Sequence, residues 1–132
     1  MATVQKFEEL KVWQKARDLC SHIYPLTFSE PISSDYRFKD QVRGSAGSIM
    51  DNIAEGFERG SKLEFINSLT IAKGEAGELK SQLYRALDNK YFSNQTFDHL
   101  YNLTDEITKM ITSLIAYLNK TTFKGQKFKD RT

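Results

Sequence analysis

The stretch from Gln41 to Gly60, QVRGSAGSIMDNIAEGFERG, constrains the fold of this chain more than any other. Val42, Ala46, Ile49, Ile53 and Gly56 recur at spacings of four, three, four and three, the narrow apolar seam of a helix packed inside a bundle. Beside it Ser45, Ser48, Asn52, Glu55 and Arg59 keep the same alternation, so small and polar side chains form a stripe along one flank of the seam. Gly44, Gly47 and Gly56 each cost roughly 1 kcal/mol against Ala in a helix interior. Close approach by another helix backbone is the usual compensation, and it makes Ser45, Ser48, Asn52, Glu55 and Gly56 the expected packing residues of this helix.

Three further seams flank the central one. Leu10, Trp13, Ala16, Leu19, Cys20, Ile23 and Tyr24 mark a first helix of about four turns, with Pro25 and Pro31 bounding its end and Trp13 as a core anchor. Ser33, Ser34 or Asp35 can cap the central helix, which is expected from about Tyr36 through Phe57, with Gly60 placed to end it. Ser61 and Glu64 form the capping pattern S-x-x-E and open a third helix, whose seam runs through Leu63, Ile66, Leu69, Ala72 or Lys73, Ala76, Leu79, Leu83 and Leu87 to about Asp88. After a break at Asn89 to Asn94, Phe97, Leu100, Leu103, Ile107, Met110 or Ile111, Leu114 and Leu118 define a fourth helix ending near Thr121. Four long helices with short connections predict an all-α, antiparallel up-down four-helix bundle over residues 1–121. Residues 1–6 show no periodicity and read as frayed, and no alternating run is long enough to propose a sheet. Residues 122–132, basic and polar, read as a disordered tail.

Composition narrows the functional classes. A chain of 132 residues can bury one core without metal or disulfide support. Its single cysteine, Cys20, cannot form an internal disulfide and reads as a buried small hydrophobe. Met1 to Leu10 lacks the apolar region of a signal peptide, and no window approaches the roughly 18 apolar residues of a membrane span, so a reducing cytoplasm is the expected compartment. Residues 1–119 carry 14 cations against 16 anions, and residues 120–132 carry five against one. The net charge of +2 thus lies in the tail, and overall pI says little about nucleic-acid binding by the folded part.

Three segments resemble a bacterial family of small four-helix-bundle proteins encoded within intervening sequences of large-subunit ribosomal RNA genes. They are FEELKVWQKA from Phe7 to Ala16, QVRGSAGSIMDNIAEGFERGS from Gln41 to Ser61, and FINSLTIAKGEAGELKSQL from Phe65 to Leu83. The resemblance is most specific at Asn52 to Gly56, Trp13 and the segment around Gly74. It implies a bundle that assembles as a homopentamer, related to the nucleic-acid-binding accessory proteins of diversity-generating retroelements. The sequence departs from the family pattern at Gly44, where a second Arg is common after Arg43, and at Met50 and Asp51, where a Pro-Ser pair is common.

No catalytic constellation stands out. His22 and His99 lie on different helices without metal-ligand spacing, Ser45 and Ser48 have no local base, and neither cofactor nor metal is expected. Glu55 and Arg59 fit first an intrahelical ion pair, and the sharper, second reading is that with Asn52 they make polar contacts that fix register between helices or subunits. Candidate phosphate-binding cations are Lys11, Lys15 and Arg17 on the first helix, Arg43, Arg59, Lys62 and Lys73 on the central pair, and Lys124, Lys127, Lys129 and Arg131 in the tail. The leading expectation is a non-enzymatic homo-oligomeric bundle that binds RNA or DNA or serves a nucleic-acid enzyme. The alternative is an interaction bundle with no nucleic-acid partner.

Overall fold

The computed structural model describes residues 3–121 and the backbone of residues 128–129. Its helices are α1 (Lys11–Leu26), α2 (Tyr36–Glu58), α3 (Lys62–Asp88) and α4 (Asn94–Lys120). Each packs against its neighbours in the order α1, α2, α3, α4 and back to α1, and α2 and α3 share the most extensive contact. This is the expected antiparallel up-down bundle. With 27 residues each, α3 and α4 run about 40 Å.

Local chemistry places most helix ends. The Asp35 carboxylate accepts the Phe38 amide at 3.1 Å, the Ser61 hydroxyl accepts the Glu64 amide at 3.1 Å, and the Ser93 hydroxyl accepts the Thr96 amide at 3.1 Å. Each satisfies one amide that the first turn would otherwise leave unbonded. The bond from the Glu64 amide is the hydroxyl half of the S-x-x-E pattern, and the Ser61 hydroxyl also donates to the Glu64 carboxylate at 3.2 Å. Gly60 has φ of 85° and stops α2. Lys90, with φ of 60°, does the same after α3, where its amide donates to Leu87 O at 3.0 Å and the Tyr91 amide donates to Ala86 O at 2.8 Å. These are the paired bonds of a left-handed helix stop.

Expectations at the helix ends and the chain's start need correction. Pro25 lies inside the last turn of α1 rather than beyond it. Leu63 is 68% exposed, because the seam of α3 starts at Phe65, which stacks edge-on against Phe57 at 5.7 Å and seals the α2–α3 turn. The segment before α1 is also built into the fold. Thr3–Val4 (β1) pairs antiparallel with Phe128–Lys129 (β2), Val4 is buried, and the Glu9 carboxylate accepts the Gln5 and Lys6 amides at 2.8 and 3.1 Å. Two-residue strands carry no alternation that a sequence could display. The rest of residues 122–132 lies outside the described residues.

The core runs the length of the bundle. Val12, Ala16, Leu19 and Ile23 of α1 meet Val42, Ala46, Ile49 and Ile53 of α2, with Leu69, Leu79 and Leu83 of α3 and Ile107, Ile111 and Leu114 of α4 completing it. Trp13, expected as an anchor of that core, is only half-buried and stands at its edge, with the Phe7 ring edge-on at 5.1 Å.

Candidate functional site

The polar stripe of α2 is divided between helices. Ser45 is buried and donates to the Glu78 carboxylate of α3 at 3.1 Å. Asn52 donates to Ser48 O at 2.8 Å, a bond within α2. Arg59 lies 3.8 Å from Glu55 and 3.6 Å from Glu64, so it serves both the intrahelical pair and the α2–α3 turn. Glu78 sits beside Glu75, whose carboxyl is held above its usual range by burial first and by the Glu78 charge second.

The glycines of the two helices behave differently from one another. A Cβ placed on Gly56 would collide with the Ser68 side chain and lie 3.3 Å from the Phe65 ring, so here α3 supplies the close approach that α2 requires. Gly44 and Gly47 on α2, and Gly74 and Gly77 on α3, have nothing within 4 Å of that position. The expectation that a helix of this chain packs over Gly44 and Gly47 is therefore corrected. These four glycines weaken their helices and no described residue fills the space. Leu63 and Ile71, 68% and 54% exposed, share the outward side of α3 with Gly74.

The candidate cations are dispersed rather than gathered. Lys15 pairs with Glu106 of α4 at 3.1 Å, and Arg17 lies over the Trp13 ring at 5.8 Å. Lys62 donates to Thr121 O at 2.8 Å, closing the end of α4. Arg43 sits near the far end of the bundle, where its Nε donates to Thr27 Oγ1 at 2.8 Å. Lys11 and Lys73 are exposed. Lys124, Lys127 and Arg131 lie outside the described residues, and of Lys129 only the backbone is described.

Tertiary structure adds groupings that sequence spacing did not suggest. Asp105 of α4 bonds Lys80 of α3 at 2.6 Å and Lys109 at 3.1 Å, which together hold its carboxyl below the usual range. His22 and His99 meet edge-on at 4.9 Å above a cleft of about 300 Å³. Among the described residues no group of three or more His, Cys, Asp or Glu could hold a metal, and no helix is long and apolar enough to cross a membrane.

An all-α bundle whose features of note are an outward glycine face and dispersed cations defines a class, that of small helical modules. The chain belongs to the 23S rRNA-intervening sequence protein family, whose model matches residues 8–113. Among solved structures it is similar to a protein of unknown function from the S23 ribosomal protein family of Bacteroides thetaiotaomicron. That similarity has a TM-score of 0.73 and 28% identity, and covers 83% of this chain and 99% of the other. Neither points to an enzymatic family. No curated protein matches the sequence.

Proposed function

We propose that this chain is a non-enzymatic module that assembles with copies of itself, as the homopentamer its family resemblance implies, and associates with ribosomal RNA or another nucleic acid in the cytoplasm. The observation that carries the assembly half is the set of open glycines on α2 and α3. Each costs helix stability, and Gly56 illustrates the compensation when a neighbour is present. A second copy packed over Gly44 and Gly74 offsets the same cost from outside. The resemblance to nucleic-acid-binding accessory proteins supports the nucleic-acid half, for which Lys11, Lys73 and the half-buried Arg43 would supply phosphate partners.

Analytical ultracentrifugation tests the assembly. The intact protein should sediment as a pentamer, and Gly74→Leu should shift it to smaller species while far-UV circular dichroism stays helical. A parent that sediments as a monomer at every concentration removes the assembly reading. Anisotropy titration with structured RNA at two salt concentrations tests the other half, since phosphate contacts give a log K that falls as log salt rises. A second reading, an interaction bundle without nucleic acid, draws on the pairing of Lys15, Arg59 and Lys80 with acids of the same chain. It takes over if no RNA or DNA binds at low salt.

A further inference from the structure

The connection between α1 and α2 leaves three aromatic rings in solvent where an apolar ring has least reason to be. Phe28 is 72% exposed, Tyr36 71% and Tyr24 39%. Each lies against a cation. The Arg43 guanidinium is 4.8 Å from the centre of the Phe28 ring and 5.3 Å from that of Tyr24, and the Lys39 ammonium is 5.1 Å from that of Tyr36. Tyr36, Lys39 and Arg43 follow at spacings of three and four, so they line one face of α2 over roughly 10 Å.

The arrangement is held in place from behind. Arg43 Nε donates to Thr27 Oγ1, and that buried hydroxyl donates to Tyr24 O at 2.7 Å, so the guanidinium plane is fixed while its two terminal amino groups have no hydrogen-bond partner among the described residues. Besides the Tyr36 ring, Lys39 reaches Ser33 O at 3.5 Å and no carboxylate among the described residues. The nearby carboxylates are otherwise engaged: Glu30 accepts from Ser33 and Ser34, and Asp35 accepts from the Phe38 amide and the Tyr91 hydroxyl. Asp40, the remaining acid on this part of α2, forms no ion pair with either cation among the described residues.

We infer that Tyr24, Phe28 and Tyr36, with Lys39 and Arg43, form a platform for single-stranded or looped RNA, two or three of whose bases stack on the rings while the cations take the adjoining phosphates. This rests on the nucleic-acid reading above and assigns it a surface. Rings interleaved with cations suit a strand that offers a π-face and a negative charge at every step. A protein partner covering the same area would have to bring carboxylates of its own to both Lys39 and Arg43, whereas RNA carries a phosphate at every step.

The test uses the full chain and fluorescein-labelled oligouridylate of about a dozen nucleotides, with an RNA duplex of equal length and an abasic strand as controls. The parent should bind the single strand more tightly than the duplex or the abasic strand. Phe28→Ala with Tyr36→Ala should weaken single-strand binding about tenfold or more, with the slope of log K against log salt unchanged because no phosphate partner is removed. Single-strand binding by the double variant equal to the parent's overturns the platform, as does a parent that binds the abasic strand as tightly as the intact one. The abasic control alters no residue, so it decides the matter even if the double variant misfolds. A double variant that loses the parent's oligomeric state also overturns it, by showing a contact between copies. A parent that binds none of the three probes at low salt removes the nucleic-acid reading itself.

Discussion

Gly56 and Cys20 are the two residues where a single atom decides the outcome. Any side chain at Gly56 must displace Ser68, whose Oγ would lie 2.8 Å from the new Cβ. Gly56→Ala should therefore lower stability by about 1–3 kcal/mol through overpacking, read as an earlier urea midpoint, and an unchanged midpoint would mean that α2 and α3 are further apart than described. Cys20 donates its thiol to Ala46 O at 3.2 Å, and burial, then the Asp51 charge, pushes its pKa up to about 11. Little thiolate is present at neutral pH. Cys20 is half-buried rather than sealed in the core, so reaction with a disulfide reagent at pH 7.5 should be slower in the folded chain than in urea, and equal rates would contradict its partial burial and raised pKa. The small size demanded at Gly56 was legible in the sequence, since its place in the apolar seam set it inside. Gly44 and Gly74 look alike on paper, and their open surroundings depend on which way each helix is turned.

At the scale of the element, the helix ends are the most legible feature, because a cap is a contact between residues three apart. Ser61→Ala and Ser93→Ala should each cost about 1 kcal/mol, measured as a lower thermal midpoint, and no change in either would show that the hydroxyls do not cap. Acid should act through the carboxylates that join helices. The Tyr91 hydroxyl at 2.6 Å, then the Phe38 amide, hold the Asp35 carboxyl below its usual range, and Asp105 is held down by Lys80 and Lys109. A carboxyl lowered by folding stabilises the native state above its unfolded pKa, and loses that contribution as pH falls through the folded value. Stability should thus decline below about pH 4, and Asp35→Asn with Asp105→Asn should flatten that decline. Glu75, raised by burial, acts in the opposite sense and favours the fold more once protonated. A double variant with the parent's acid profile between pH 2 and pH 6 would place the effect elsewhere. The cap of α2 by Asp35 was among the residues the sequence offered. The bond from Tyr91, 56 positions away, was not, because nothing local relates the two.

For the whole molecule the question is how charge and assembly divide between body and tail. Deleting residues 122–132 removes four cations and one anion from each copy, so RNA affinity should fall and the salt slope should flatten. The packing residues proposed for assembly lie on α2 and α3, so the truncated protein should sediment as the same oligomer as the parent. Truncation also removes Phe128–Lys129, the partners of Thr3–Val4. A loss of assembly in the truncated protein alone would mean that the tail, rather than the glycine face, holds the copies together. Unchanged affinity would move the binding site to the body, with Lys39 and Arg43 the first cations to reverse.

Four helices, their order and most of their ends were determined by the sequence alone, because apolar periodicity and capping operate over three or four residues and survive in one dimension. The choice of bundle followed from short connections, which return each helix alongside the one before. Only the tertiary structure decided the rest, through the rotation of each helix about its axis and its offset along its neighbours. That rotation turned Leu63 and Gly74 outward and Gly56 inward, set Trp13 at the rim, paired Lys15 with Glu106 and Arg59 with Glu64, and brought Tyr24 and Phe28 onto Arg43. The assembly face and the aromatic platform proposed for this chain are surfaces of that kind, and a surface is assembled from residues whose separation in sequence carries little trace of their contact.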